Sequence, residues 1–228
     1  MWIDNFRDDL RHLGFTKAAA RAGYKLANRA VHWDILRLME LTTEGLNPKF
    51  LSFQTPGSHD GRFLSTREAE ALSEQFGDVL TRNFVETALA KGDDVFAIFD
   101  GRTCAAFGWY SRRPTIIRDD LELHFDPIRV YMYHGYTRPE YRGERLHALG
   151  IARALTTYVE ERGAKGMISI TEGTNYRTYA SSLRLGFAFR GTIYRVGLGR
   201  LSRIVQSRSC AAYGVRVTRI SAVPKGPA

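Results

Sequence analysis

Residues 138–150, RPEYRGERLHALG, place a proline turn and then Gly143-Glu144, bracketed by Arg142 and Arg145, directly ahead of an apolar pattern at helical spacing. A helix start leaves its first backbone N–H groups without intrahelical acceptors, and the helix dipole favours negative charge there. With two guanidinium groups beside it, such a junction suits a bound anion. His134, just upstream, carries a side chain whose ordinary pKa of about 6.5 suits proton removal near neutrality. Glu122 and His124 are the second choice for a base. The six histidines show no ligand spacing such as His-x-x-x-His, so no metal is expected. The two cysteines, Cys104 and Cys210, lie among small apolar residues and read as buried free thiols.

These groups need elements to hold them. Residues 129–137, RVYMYHGYT, read as a strand that delivers His134 and runs into the turn, and 147–162 reads as the helix that follows, ending at Gly163. Upstream, 32–41 reads as a first strand and 49–64 as a loop. Ser65-Thr66-Arg67-Glu68 has the capping-box pattern ahead of Ala69, Leu72 and Phe76, and a second helix spans about 79–91. Asp100-Gly101-Arg102 between 95–99 and 103–110 signals a hairpin, because Asp-Gly tolerates the positive φ of a tight turn. A strand at 166–171, a helix at about 175–185 and strands near 187–198 and 212–220 complete the order. It predicts an α/β (α+β) domain on a central mixed sheet.

The chain has 228 residues, 44% hydrophobic and 25% charged, enough for one full core. Its net charge of +9 is unevenly placed: after Glu172 there is no acidic residue, while ten Lys/Arg follow. The remaining 23 basic residues against 24 acidic ones leave residues 1–172 at −1. A one-signed C-terminal quarter suggests an acidic partner, whether a phosphate-bearing cofactor, an acidic carrier protein, anionic lipid or nucleic acid; a merely soluble basic surface is the alternative. Nucleic acid is disfavoured, because no recognition motif accompanies the charge. Residues 16–30 put Lys17, Arg21, Lys25 and Arg29 on one helix face and Phe15, Ala19, Ala22, Leu26 and Ala30 on another. That mostly alanine face favours docking on the domain over lying on an anionic membrane. No run approaches the roughly 20 apolar residues of a membrane span, and MWIDNFRDDLRHLG is too acidic for a secretory signal. A cytoplasmic location is expected, with peripheral contact at the inner face of the membrane left open.

Strand 129–137 followed by Arg142-Gly143-Glu144-Arg145-Leu146-His147 resembles the acyl-CoA-binding motif of the GNAT N-acetyltransferase superfamily. Asn175, Thr178 and Leu185-Gly186-Phe187 resemble its later Asn-x-x-Ser pattern ending in Leu-Gly-Phe. The likeness covers about residues 32–198. It implies a mostly antiparallel mixed sheet flanked by helices, with the strand ending at Thr137 splayed from its neighbour. Acetyl-CoA or another acyl-CoA would be co-substrate, with Tyr136 and Thr137 on the pantetheine arm. The turn Arg142, Gly143, Glu144, Arg145, Leu146, His147 and Ala148 would hold the pyrophosphate, with Asn175 nearby. A backbone N–H near Gly135–Thr137 would polarise the thioester.

The resemblance places the family's frequent general acid, a tyrosine, at Ser182. Serine is a poor acid at neutral pH, so Tyr179, one turn earlier, is the expected substitute, and His134 is the expected base. Tyr131, Tyr133, Tyr136 and Trp109 line the acceptor cleft or pack the core. Where the family pattern has glycine or alanine, this chain has Arg145 and His147, which leaves room for a different donor: a longer acyl-CoA or an acidic acyl carrier protein. The acceptor would be a small-molecule or lipid amine, with residues 42–64 on its side. The expected organisation is a basic helical extension at 1–31, the GNAT-like domain at 32–199, and a basic strand and tail at 200–228.

Overall fold

The computed structural model describes residues 14–51, 59–118, 120–198 and 201–220. The first thirteen residues, the middle of the expected acceptor-side loop (52–58) and the last eight residues of the expected basic tail lie outside the described residues.

Helix α1 (Phe15–Ala30) leads into β1 (His32–Leu41), and β2 (His59–Phe63) follows. Helices α2 (Thr66–Gln75) and α3 (Arg82–Lys91) precede the hairpin β3 (Asp94–Asp100) and β4 (Thr103–Ser111). Then come β5 (Thr115–Arg118), β6 (Leu121–His124), β7 (Val130–Thr137), α4 (Leu146–Glu160) and β8 (Met167–Glu172). Helix α5 (Tyr176–Leu185) and strands β9 (Ala188–Gly197), β10 (Arg203–Gln206) and β11 (Arg216–Arg219) complete the order. Eight strands form one sheet in the order β10-β9-β1-β8-β7-β4-β3-β2, antiparallel except for β7 and β8; β11-β6-β5 form a second, smaller sheet. The fold is the expected mixed, mostly antiparallel sheet flanked by helices.

Local chemistry explains the elements that hold the cleft. The Ser65 hydroxyl accepts from the Glu68 amide at 3.4 Å while the Glu68 carboxylate accepts from the Ser65 amide at 2.9 Å, so the capping box starts α2. Gly101, at φ 56°, turns the hairpin. Strand β4 is buried along Cys104–Ser111 because both faces are covered. On one face α4 packs Leu149, Ile151 and Leu155 against Phe96, Ile98 and Met132. On the other, α2 and α3 cover Val95, Phe107 and Trp109, and the small sheet covers Leu36, Tyr131 and Ile168 with Leu121, Leu123 and Val217. Both cysteines are free and buried, and burial pushes the Cys104 thiol up to about 11.

Three features depart from the sequence reading. The loop expected at 49–64 contains β2, whose HDGRF lacks an apolar alternation and is held by its pairing with β3 and by Phe63, which packs edge-on against Phe96, Tyr110 and Tyr158. Helix α1 docks through Ala18, which is buried, and through Tyr24, whose hydroxyl accepts from the Ile35 amide at 3.2 Å. Phe15 and Ala19, expected inward, are exposed, because the small Ala18 permits closer approach to the sheet than a phenyl ring would. The basic C-terminal quarter is partly spent inside the fold: Arg190 pairs with buried Glu40 at 2.9 Å, on which Arg129, from before β7, also converges at 3.2 Å. Arg195 makes a two-pronged contact with Asp120 at 2.9 and 2.7 Å. The charge asymmetry along the chain is thus partly cancelled in space.

Candidate active-site cleft

Strands β7 and β8 pair only at Val130/Met167, Tyr131/Ile168 and Met132/Ser169, and then part. Beyond Met132, β7 still pairs with β4 on its other side, where the register shifts so that His134 and Gly135 oppose Gly108. This is a β-bulge, and it puts His134 at φ 46°, a left-handed conformation that a non-glycine residue adopts at a cost. The splay leaves the edge of β7 at 133–137 unpaired on the β8 side. It opens a cleft of about 310 Å³ floored by β7 and β8 and walled by α4 and α5.

At its mouth, the 138–145 turn is anchored firmly. Arg138 donates to the Cys104 carbonyl at 2.7 Å and lies over the Phe76 ring, and Tyr141 donates to Asp100 at 2.9 Å. Gly143 takes φ 100°, and Arg145 takes φ 61° as the residue before α4. The first intrahelical bond runs from the Leu149 amide to the Arg145 carbonyl at 3.0 Å, so the amides of 146–148 point out of the helix start. Arg142 is exposed and makes no ion pair with a described residue. The outward amides of the helix start and the exposed Arg142 thus stand at the mouth of the cleft. Arginine in a left-handed conformation is strained, so Arg145→Gly is expected to raise the melting temperature by about 1–3 °C. A fall on thermal denaturation would mean that the side chain's own contacts outweigh the strain.

Of the expected site residues, His134, Gly135, His147, Ala148 and Ser182 line the cleft. The His134 ring stacks on Phe84 at 4.6 Å, and its Nε2 lies 3.1 Å from the Val79 carbonyl. A carbonyl only accepts, so Nε2 carries the proton and Nδ1 keeps a lone pair. Burial of the ring lowers its pKa below the ordinary histidine value, with the Val79 bond acting in the opposite direction.

Other expectations are corrected. Tyr179 does not reach the cleft; its ring faces Arg37 of β1, 4.7 Å away, because the residues of α5 that face the cleft are Thr178, Ser181, Ser182 and Leu185. Asn175 caps α5, accepting from the Thr178 amide at 3.2 Å. The Tyr136 ring stacks on Phe107 in the core beneath α2, so only its backbone faces the splay, as for Thr137. Leu146 is fully buried, which leaves its amide alone available. Glu144 lies 3.9 Å from His59 of β2. Glu122 and His124 pair with each other at 3.0 Å on the outer face of the small sheet, opposite to buried Leu121 and Leu123. Trp109 is core, whereas Tyr131 and Tyr133 do line the cleft.

Thr178, Ser181 and Ser169 were missed as lining residues. The i, i+3, i+4 run of small hydroxyl side chains on α5 is the signal that marks its cleft face. Beside the cleft, the Tyr133 hydroxyl donates to buried Asp93, which also pairs with Lys91 at 2.9 Å. No group of three or more potential metal ligands occurs among the described residues.

No family model matches the chain, and no curated protein is significantly similar to it. Solved structures with similar folds include a GCN5-related N-acetyltransferase from Kribbella flavida (19% identity, 79% of this chain, TM-score 0.49). A GCN5-related N-acetyltransferase-like protein from Streptococcus suis (14% identity) covers 82% of this chain and 68% of its own, also with TM-score 0.49. A putative GNAT-family acetyltransferase from Novosphingobium aromaticivorans (16% identity) covers 75% of this chain and 68% of its own, with TM-score 0.48. This chain spans 66% of the Kribbella flavida chain, just under two thirds of its length.

Proposed function

We propose that the chain is an N-acyltransferase that binds a coenzyme A thioester between β7 and β8. It passes the acyl group, acetyl in the simplest case, to an amine by direct attack within a ternary complex. The observation that supports this most is the coincidence of three features: the parting of β7 and β8, the bulge at His134–Gly135, and the outward amides at the start of α4. A long thin ligand with a phosphate-bearing end fits that arrangement. The amides of 146–148 and Arg142 meet the diphosphate, and the open edge of β7 meets the amide-bearing arm. The two departures at the glycine positions do not close the site. Arg145 adopts the left-handed conformation that a glycine would take, and the His147 ring turns inward over Gly135 rather than into the mouth.

A bound thioester supplies an acyl carbon whose bond to sulfur breaks as its bond to the amine nitrogen forms. The protein's part is polarisation and proton handling. Backbone N–H groups of β7 beyond the bulge polarise the carbonyl, and His134 Nδ1 takes the proton from the amine. The acceptor approaches from the side of α2 and α3, past Tyr131 and Tyr133. The same cleft takes the phosphopantetheine arm of an acyl carrier protein or a long-chain acyl-CoA, so these are alternative donors. No helix among the described residues is long and apolar enough to cross a membrane.

The test is thiol release from acetyl-CoA, a long-chain acyl-CoA and an acyl carrier protein in the presence of a panel of small and lipid amines. Amine-dependent release supports the reading, and none with any donor opposes it. With an active pair in hand, kcat/KM is expected to rise with pH through a limb lying below the ordinary histidine value, since the base must be neutral and its pKa is depressed. His134→Ala is expected to lower the rate about 10²-fold or more and to erase that limb. An unchanged pH profile would remove His134 from the mechanism.

A further inference from the structure

The β10-β9-β1 edge of the large sheet has one covered face and one bare one. On the covered face Ile193 packs against the small sheet and Arg195 pairs with Asp120. On the other, Trp33 stands opposite Val196 and Val205 opposite Tyr194, and these four side chains, next to one another, are 41–61% exposed. The turn joining β9 to β10 adds two leucines. Its Leu201 amide donates to the Leu198 carbonyl at 2.8 Å, and Leu201 is 85% exposed and Leu198 59%. Single exposed apolar residues are ordinary, but six gathered at one end of a sheet mark an interaction surface.

Charge identifies what the surface meets. The chain has no acidic residue between Asp9 and Asp34 or after Glu172, and α1, β9 and β10 are drawn from those two stretches. The carboxylates of the adjoining segments are neutralised: Asp34 and Glu172 meet Arg118 at 3.3 and 2.6 Å, and Asp120 meets Arg195 at 2.7 Å. Arg203, exposed, stands opposite Val196 on the bare face. Leucines at a hairpin tip, a tryptophan and a tyrosine behind them, and basic residues beside them suit the headgroup region of an anionic bilayer. The leucines project from a turn rather than line a groove, which favours insertion among acyl chains over reception of a protein segment.

We propose that this end of the sheet docks on an anionic lipid bilayer through Leu198 and Leu201, and that the amine acceptor is a membrane lipid; the second part rests on the acyltransferase reading. Strand β1 runs antiparallel to β8, with Leu36 opposite Glu172 and His32 opposite Gly197. The hairpin tip therefore lies roughly 13 Å beyond the C-terminal end of β8, at the end of the sheet where β7 and β8 part. A bilayer against the tip faces the open end of the cleft, so a lipid amine reaches the thioester by its headgroup. The acyl carbon then leaves sulfur for the lipid nitrogen, whose proton passes to His134, and the thiolate takes its proton from water.

The test is co-sedimentation of the full chain with vesicles of phosphatidylcholine alone and of phosphatidylcholine mixed with phosphatidylglycerol. Binding to the anionic vesicles is expected to be about tenfold or more the stronger, and to fall as salt is added. The double variant Leu198→Ser/Leu201→Ser and, separately, Arg203→Glu are each expected to weaken it about tenfold or more. Ile116→Ser, at an exposed position of the small sheet, is expected to leave it unchanged, which controls for apolar exposure in general. No binding to anionic vesicles, binding that both variants retain, or capture by an acidic acyl carrier protein in place of vesicles overturns the docking surface. Thiol release with soluble amines but not with an aminolipid in the vesicles overturns the lipid acceptor. Vesicle binding with no thiol release from any donor to any amine removes the acyltransferase reading, and the lipid acceptor with it, and leaves the docking surface standing.

Discussion

Gly186→Ala is expected to destabilise the protein by about 3–5 kcal/mol, a fall in melting temperature on the order of 10 °C. Gly186 closes α5 at φ 115°, where a side chain is strained, and its amide bonds the carbonyls of Ser182 and Leu183, both at 3.1 Å. The helix end is clamped to the segment after β1: the Asn47 amide donates to the Leu185 carbonyl at 2.9 Å, and the Asn47 side chain donates to Arg184 at 3.1 Å. A β-carbon on Gly186 would collide with the Gly45 carbonyl and come within 3.1 Å of the Asn47 nitrogen. Both are backbone atoms, so no rotamer change relieves the clash, and Leu185 and Phe187, which line the cleft, would shift with it. Gly23→Ala is the control. It sits within α1 with nothing within 4 Å of the added carbon, and it is expected to be neutral or to stabilise by about 0.5–1 kcal/mol. Urea denaturation of both variants gives the comparison; equal stabilities would mean that the α5 end is not held as described.

Arg195→Ala is expected to cost about 3–5 kcal/mol, the usual penalty for removing one partner of a buried ion pair. Arg195 is 5% exposed. It holds Asp120 through two nitrogens and reaches the Ser202 hydroxyl at 3.1 Å, while Arg219 donates to the same hydroxyl at 2.6 Å. Its loss leaves Asp120 with only the longer approach of Arg219 at 3.7 Å, and it frees the join between β9 and the turn that precedes β6. Arg203→Ala, at an exposed position of β10, is expected to change stability by less than about 0.5 kcal/mol. The pair of results separates the two readings of the basic C-terminal quarter: arginines that hold the fold, and arginines that are merely on the surface. A small effect of Arg195→Ala, reversed by salt, would mean that the pair is solvated rather than buried.

The features legible in the sequence are those written by local chemistry. The Asp100-Gly101 hairpin, the Ser65–Glu68 capping box, α4 after the Arg-Gly turn and the glycine ending α5 all depend on residues within a few positions of one another. The strands that were missed, β2, β5, β6 and β10, have four or five residues each, too few for a period to declare itself. Nor does any local pattern place β1 between β8 and β9. The direction of Tyr179 turned on which α5 residues face the cleft, a difference of one position in helical phase. The bulge at His134 was hidden because it puts a non-glycine residue at positive φ. The accommodation of His147 by Gly135 links residues on separate elements, so neither is informative without the other.

The most direct measurement is calorimetric titration of coenzyme A into the full chain, alongside Arg142→Ala. The account expects one molecule bound per chain, a melting temperature that rises with ligand, and affinity about tenfold or more weaker in Arg142→Ala, since the lost contact is a charge-assisted one. No heat and no thermal shift at millimolar coenzyme A, in wild type and variant alike, would contradict the claim that the cleft between β7 and β8 is built for a thioester donor.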